Sequence, residues 1–329
     1  MRAISRTLRA AGALLLLGAL AGGDAPPASA AAADLVLEAS LDETSVDLGE
    51  DVVLRLRVRN HSTRAVTVPR LRLARDSVSV GVELPGGGRA EVTRRHGTFV
   101  EEGGQIELRE RATDGVEVAP GRSVEGTLSF PAVVAGTLRL RPVLGPEGPE
   151  RVQGPALAVE VEPGAAVPKR LVAQVETTAG SFAVELDGAR AFNAVSQFSR
   201  LANEGFYDGL AFHRVVPGLL VQGGDPRGDG TGGPGWYLPS EAPADPPPLA
   251  RGDVGLARGT HPDSQGSQWF AVADPAGLAE RDLERGFTPL GRVVAGPEVV
   301  DALAAAEVVQ GSDRPVTPAT VVRLRVARR

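Results

Sequence analysis

The sequence contains no cysteine, and aromatic residues make up only 4% of it. The lack of cysteine excludes disulfide bonds, thiolate metal sites, a cysteine nucleophile and lipid attachment at cysteine. The few aromatic residues are also unevenly distributed, since only Phe99 and Phe130 precede residue 165. A length of 329 residues suggests about two domains. The uneven aromatic content indicates a boundary near the middle of the chain.

Basic residues are also in deficit. The 35 Lys and Arg against 41 Asp and Glu give a formal charge of −6. Because a broad nucleic-acid-binding surface needs an excess of basic residues, we expect no nucleic-acid partner. Apolar residues make up 42% of the chain, which is typical of a globular protein with a packed core.

Residues 1–30 have the pattern of a secretory signal. Three arginines occur in the first nine residues, an apolar run extends from Ala10 to Ala21, and Ala28-Ser29-Ala30 supplies small residues at the end. The run is shorter than the roughly 20 residues that cross a bilayer. We therefore predict an exported protein, in a bacterial periplasm or secreted, with no membrane span after signal cleavage. An uncleaved anchor helix is the alternative.

Residues 33–162 contain many short runs of alternating polarity. In Val53–Arg59, for example, leucines and valines alternate with arginines, the period of a half-buried strand. Leu71–Leu73 is another predicted strand. Turn residues separate such runs at a spacing typical of a sandwich of two antiparallel sheets, and residues 42–50 resemble the opening of bacterial immunoglobulin-like modules. We predict an immunoglobulin-like β-sandwich over 33–162 that has no catalytic set and serves as a spacer, a partner-binding module or a clamp on clients.

Residues 163–168 contain two prolines and a glycine, which discourage a continuing strand, and we predict a linker there. The second domain, 169–329, then opens with strand patterns and contains two stretches of helical period. The predicted strands and helices are Leu171–Thr177, Ser181–Leu186, Ala191–Gly205 and Glu298–Ala305.

Several motifs of this second domain resemble, in family order, the signature of cyclophilin-type peptidyl-prolyl cis-trans isomerases. They are Phe206–Asp225, Gly228–Gly235, Gly255–Arg258, Ser264–Phe270, Leu290–Val294 and Val299–Asp301. The resemblance covers about residues 170–327. It implies a closed antiparallel eight-stranded β-barrel with a helix over each end, so the expected fold class of the whole chain is mainly β.

Two other enzyme classes do not fit these motifs. The Gly228–Gly233 run matches a dinucleotide-binding pattern, but Pro234-Gly235 follows it in place of a helix. Ser267 lies in Gly-Ser-Gln, which is not the nucleophile elbow of a serine hydrolase. We therefore expect neither nucleotide binding nor serine hydrolysis.

The resemblance implies a catalytic role for Arg214 and Gln222. An X-Pro bond isomerises over a barrier of roughly 18–20 kcal/mol because its C–N bond has partial double-bond character. In the twisted state the proline nitrogen regains a lone pair, and a fixed cationic donor stabilises that state over both planar ones. Arg214 matches the family's catalytic arginine, and Gln222 matches the glutamine that positions the substrate carbonyl and the arginine. This chemistry needs no nucleophile, metal or cofactor, and we expect none.

The resemblance also implies a set of substrate-binding residues. Phe270 corresponds to the aromatic floor of the proline pocket. The apolar walls of the pocket correspond to Leu219, Leu220 and Leu283. Phe287 stands beside them, at a family position often occupied by His. The peptide that flanks the proline would be held by Gln268 and by the backbone of Ala257 and Arg258.

The predicted function is therefore peptidyl-prolyl cis-trans isomerisation of X-Pro bonds in exported proteins, with proline-containing client segments as partners. The sequence departs from the family at Leu219, at Phe287 and in residues 274–285, where the family's tryptophan is missing. These departures favour an alternative. In it, the chain is a weakly active or inactive peptide-binding or chaperone protein on the cyclophilin fold. A cell-surface structural module is a third reading. The sequence leaves the oligomeric state open, with a monomer as the default.

Overall fold

The computed structural model describes residues 34–329, except 75–76, 95–97, 103–104, 110–114, 146–150, 163–169, 282 and 284–285. The signal and linker predictions lie outside the described residues. The described strands of the N-terminal half (residues 34–162) are β1 (Leu35–Leu41), β2 (Ser45–Asp47), β3 (Asp51–Asn60), β4 (Val66–Pro69), β5 (Val78–Glu83), β6 (Arg89–Val92), β7 (Thr98–Glu102), β8 (Gln105–Arg109), β9 (Gly115–Val118), β10 (Ser123–Pro131), β11 (Gly136–Leu144), β12 (Val152–Gln153) and β13 (Leu157–Glu162).

Strand β3 shows how the alternating pattern becomes structure. Leu54, Leu56 and Val58 are buried, and the arginines between them are exposed. The strand pairs in antiparallel register with β1 on one side and β10 on the other. The predicted strand Leu71–Leu73 is wrong, because only Leu73 pairs, in an isolated bridge.

Two larger sheets form this half. One has the order β1-β3-β10, and the other has the order β2-β13-β11-β5-β6, with β12 added at β11. Both sheets contribute buried valines and leucines to one core cluster, as with Leu56 of β3 and Leu140 of β11. The short pairs β4–β9 and β7–β8 complete the described strands. That this arrangement is immunoglobulin-like stays a prediction.

The C-terminal half (residues 170–329) contains eight described strands, two α-helices and one 3₁₀ turn. They are β14 (Leu171–Thr177), β15 (Gly180–Leu186), α1 (Phe192–Asn203), β16 (Arg214–Val216), β17 (Leu220–Gly223), β18 (Asp253–Leu256), β19 (Trp269–Val272), the 3₁₀ turn (Ala279–Arg281), β20 (Pro289–Ala295), α2 (Pro297–Ala304) and β21 (Val321–Arg328). The two predicted strands and two predicted helices all occur within one or two residues of their expected bounds.

These strands form one curled antiparallel sheet in the order β16-β17-β19-β18-β20-β15-β14-β21. The segments that precede the two edge strands meet, since Ala211 and Thr320 form a bridge and the Phe212 N–H donates to Ala319 O at 2.9 Å. The sheet therefore curls back on itself, and the mainly β fold class is confirmed.

Helix α1 lies between the two halves and contacts both. Ten of its twelve residues are buried. Phe192 packs edge-on against Phe130 of β10, with ring centroids 6.1 Å apart. Ser196 Oγ donates to Pro131 O at 3.1 Å, and Asn193 Oδ1 accepts from the Thr93 N–H at 3.3 Å. A helix that is buried all round needs partners on both sides. The N-terminal half covers one side of α1, and the curled sheet covers the other.

The main hydrophobic cluster runs without interruption through both halves, and contacts gather the described residues of both halves into one compact unit. The division into 33–162 and 169–329 stays a prediction about independent folding. Among the described residues, no helix combines the length and apolar character needed to cross a membrane.

Candidate active site

Both predicted catalytic residues and the predicted floor of the proline pocket lie in one row across three neighbouring strands. The register pairs Arg214 of β16 with Gln222 of β17, and Gln222 with Phe270 of β19. Directly paired residues project from the same face of a sheet, and adjacent strands are about 4.8 Å apart. A cation, an amide and an aromatic ring are thus aligned on one face.

The face that carries this row has its own apolar cluster. Because side chains alternate along a strand, Val216, Leu220 and Val272 share the face of the row. With Phe270 and Leu278 they form a small buried cluster distinct from the main core. Trp269 points to the opposite face and packs in the main core, where Phe212 lies 5.7 Å from it.

The predicted pocket residues gather around this second cluster. Phe270 is 3% exposed, and its ring meets Phe287 edge-on at 5.0 Å between centroids. A Cβ on Gly255, the cross-strand partner of Phe270, would lie 2.9 Å from Phe270 Cζ. Glycine at 255 therefore makes room for the ring. Partly buried side chains that pack against the cluster include Leu219, Ala257, Leu283 and Phe287.

A chain of hydrogen bonds orients the polar part of the row. Arg214 Nη1 donates to Gln222 Oε1 at 3.2 Å, and Gln222 Nε2 donates to Gln268 Oε1 at 2.8 Å. Gln268 Nε2 in turn donates to the carbonyls of Gly230 and Gly232, both at 2.9 Å. The glycine-rich run thus anchors the amide chain that ends on Arg214.

Arg214 has a second partner that the sequence did not predict. Asp313 Oδ2 accepts from Arg214 Nε at 3.1 Å and from Nη2 at 3.0 Å. Asp313 lies 99 residues further along the chain. No local motif links the two, so only the tertiary fold reveals the pair.

A cleft of about 270 Å³ adjoins the row. Gln222, Gln268, Ala257 and Arg258 line it, together with the glycine-rich run. The backbone of Ala257 is fixed there, since its N–H donates to Gln268 O at 2.9 Å. The side chain of Arg258 is engaged as well as its backbone. Its guanidinium lies 5.3 Å from the Phe287 ring centroid, and its Nε donates to Gly286 O at 3.0 Å.

A larger cleft of about 710 Å³ lies between the two halves, and Phe287 is part of its lining. Its lining includes Val133, a proline-rich stretch at 243–248, and three arginines. Each of these arginines lies within 4.0 Å of a carboxylate, as Arg292 does with Asp253 at 2.7 Å. The lining of this cleft does not include Arg214, Gln222 or Phe270, so the cleft lies apart from the predicted catalytic row.

His213 precedes the arginine but does not suit acid–base chemistry. It is 9% exposed, and desolvation lowers its pKa below the usual value of 6.5. The imidazole is therefore neutral near pH 7. Within the described part of the chain, no group of three or more His, Asp or Glu residues is placed to hold a metal ion.

Comparison with known proteins places the C-terminal half in a defined group. The family model "Cyclophilin type peptidyl-prolyl cis-trans isomerase/CLD" matches residues 172–326. "Peptidyl-prolyl cis-trans isomerase B" of Bacillus subtilis is 43% identical over 114 residues, which are 35% of this chain and 76% of that protein. "Peptidyl-prolyl cis-trans isomerase-like 1" of Aspergillus oryzae is 34% identical over 154 residues, 46% of this chain and 92% of that protein. A crystal structure of a Cryptosporidium parvum cyclophilin type isomerase has 24% identity and a TM-score of 0.42, and the match covers 48% of this chain and 98% of that one.

Proposed function

The chain belongs to the cyclophilin-type peptidyl-prolyl cis-trans isomerase family, and from this premise we propose that it isomerises X-Pro bonds of exported proteins with Arg214 as the stabilising cation. The observation that carries the proposal is the in-register row of Arg214, Gln222 and Phe270. It aligns a cationic donor, a carbonyl-binding amide and an apolar floor on one face.

The proposed mechanism follows from what the row offers a twisted amide. The proline ring rests on Phe270 within the second apolar cluster, and this anchors one side of the bond. Rotation about the C–N bond pyramidalises the proline nitrogen and frees its lone pair. Arg214 then donates to this nitrogen more strongly than in either planar state, and such differential binding lowers the barrier.

The hydrogen bonds of Arg214 leave donors for this task. A guanidinium has five N–H groups and stays protonated at any working pH. Bonds to Asp313 and Gln222 engage one N–H on each of the three nitrogens. Within the part of the chain that the structure describes, one N–H on each terminal nitrogen is left for substrate. The side chain is 33% exposed, so a peptide can reach it.

The direct test compares the full chain with Arg214→Ala in a cis-to-trans assay on a short X-Pro peptide. Removal of a preorganised charged donor is expected to lower kcat/KM by about 10²–10³-fold. Arg57→Ala is the matched control, because Arg57 pairs with Glu125 in the N-terminal half, away from the row. Unchanged activity in Arg214→Ala would refute the mechanism. A wild type that binds Pro-containing peptides without turnover would favour the peptide-binding alternative.

Export is the second part of the proposal, and the sequence pattern of residues 1–30 supports it. Expression of the full chain in a bacterium is expected to yield a protein outside the cytoplasm, cleaved after Ala30. A cytoplasmic protein with an intact N-terminus contradicts export and leaves the isomerase activity unaffected.

A further inference from the structure

Asp313 is bound to the arginine strand through both its side chain and its backbone. Its Oδ2 accepts two N–H groups of Arg214, and its carbonyl accepts the Val215 N–H at 2.7 Å. An isolated surface ion pair leaves a long arginine side chain mobile. Here the backbone bond fixes the carboxylate relative to β16, so the carboxylate holds the guanidinium in one plane.

The other oxygen of the same carboxylate binds a different arginine. Asp313 Oδ1 accepts from Arg281 Nη1 at 3.2 Å. Arg281 ends the 3₁₀ turn, and that turn lies between Leu278 and Leu283, two side chains of the second apolar cluster. One carboxylate therefore joins the cationic donor to the segment that walls the proposed proline pocket.

This sharing has an electrostatic consequence for Arg214. A carboxylate that faced Arg214 alone would offset its charge at the reacting nitrogen. Because Asp313 faces two guanidinium groups, the three side chains together keep one positive charge. The arrangement fixes the direction of Arg214 without cancelling its electrostatic effect.

We propose that Asp313 is a positioning residue, which orients Arg214 toward the twisted amide and couples it through Arg281 to the wall of the proline pocket. This inference rests on the proposed isomerase function and adds to it a residue outside the predicted site. Asp313 acts through Arg214 and not on the substrate.

A double-mutant cycle tests this dependence in the full chain. Asp313→Ala is expected to lower kcat for the X-Pro peptide by about 10–100-fold, since misplacement of a catalytic group by about 1 Å has an effect of that size. In the Arg214→Ala background the same change is expected to lower kcat by less than about twofold, because residues that act as a unit are not additive. Equal losses in both backgrounds overturn the proposal.

Two variants separate positioning from folding. Asp313→Asn keeps the size of the side chain and one acceptor oxygen, and an intermediate kcat is expected. Asp301→Ala removes the ion pair between Asp301 of helix α2 and Arg251. This pair lies outside the row, and full activity is expected. If Asp313→Asn is as active as the wild type, the charge-assisted bond has no role and the inference fails.

A readout without turnover separates this inference from the proposed function. The Arg214 Nε–H, assigned in ¹⁵N NMR spectra through Arg214→Lys, is expected to exchange slowly with water in the wild type and at least about tenfold faster in Asp313→Asn and Asp313→Ala. Equal exchange rates overturn the positioning role even in an active enzyme. Slow exchange in a protein without isomerase activity supports the positioning and refutes the proposed function alone. The coupling between Arg214 and the pocket wall through Arg281 has its own test. Arg281→Ala is expected to raise KM for the X-Pro peptide several-fold, and an unchanged KM overturns the proposed coupling.

Discussion

Removal of residues 1–168 is expected to leave a C-terminal half that folds but is less stable than the full chain. The N-terminal half covers Phe192 with Phe130, and Leu171 lies close to Gly49. Phe192 and Leu171 are 1% and 4% exposed in the full chain. Exposure of a buried side chain of this size costs about 1.5–3 kcal/mol, so the two together predict a loss of roughly 3–6 kcal/mol.

The hydrogen-bonded groups of the uncovered surface add little to this figure. Asn193, Ser196 and Gln197 face the N-terminal half through hydrogen bonds, and water replaces those bonds after truncation. A typical domain is stable by about 5–15 kcal/mol, so the fragment is expected to stay folded. The Arg214 row lies on strands of the C-terminal half, and peptide turnover by the fragment is therefore expected to persist.

Urea unfolding followed by tryptophan fluorescence measures the difference. Both tryptophans, Trp236 and Trp269, lie in the C-terminal half, so the signal reports on the same region in both proteins. Phe192→Ala provides the matched control, since it is expected to cost about 3–5 kcal/mol in the full chain and much less in the fragment. A fragment without a cooperative transition would show that the N-terminal half is integral to the curled sheet. A fragment as stable as the full chain would show that the covered face contributes nothing.

Further expectations concern single residues. Phe287→Ala removes the ring that meets Phe270, and a KM increase of roughly 5–30-fold is expected, which corresponds to about 1–2 kcal/mol of lost binding energy. The lost ring pair is also expected to lower the unfolding free energy by about 0.5–1.5 kcal/mol. An unchanged KM places Phe287 outside the pocket. Gly255→Ala puts a Cβ 2.9 Å from the Phe270 ring. This variant is expected to raise KM and to lower the unfolding free energy by about 1–3 kcal/mol. Wild-type kinetics in the variant would show that the ring position is unimportant. Burial raises the pKa of Glu241 to about 7 from its usual 4.5, so the folded state holds an extra proton between these values. The unfolding free energy should therefore fall as the pH rises through that window, by roughly 1–3 kcal/mol, and Glu241→Gln should remove this slope; an unaltered slope in the variant assigns it to another group.

The regular elements could be predicted because their patterns are local. Alternation in β3 and the helical spacing of α1 both reflect burial of one face, and the structure confirms both. The predicted strand Leu71–Leu73 is wrong because two leucines in alternation with an arginine form a strand only where a neighbouring strand pairs with them. Only Leu73 has such a partner.

The candidate site could be predicted only in part. Arg214, Gln222 and Phe270 were identified from motifs, and the register then shows that they are neighbours. Asp313 was missed because it comes from a distant segment and carries no motif of its own. The polar side chains of α1 were likewise uninformative, since nothing in the sequence shows that they bond to the N-terminal half.

In the proposed mechanism, Arg214 lowers the barrier of X-Pro rotation. NMR exchange spectroscopy on an X-Pro peptide at equilibrium, with catalytic amounts of the full chain, measures that rotation without a coupled reaction. The uncatalysed exchange takes about 10–100 s. We expect wild-type protein to bring exchange into the range of a second or less, and Arg214→Ala to return it close to the uncatalysed rate while the peptide still binds. Equal exchange rates with wild type and Arg214→Ala would contradict the proposed mechanism.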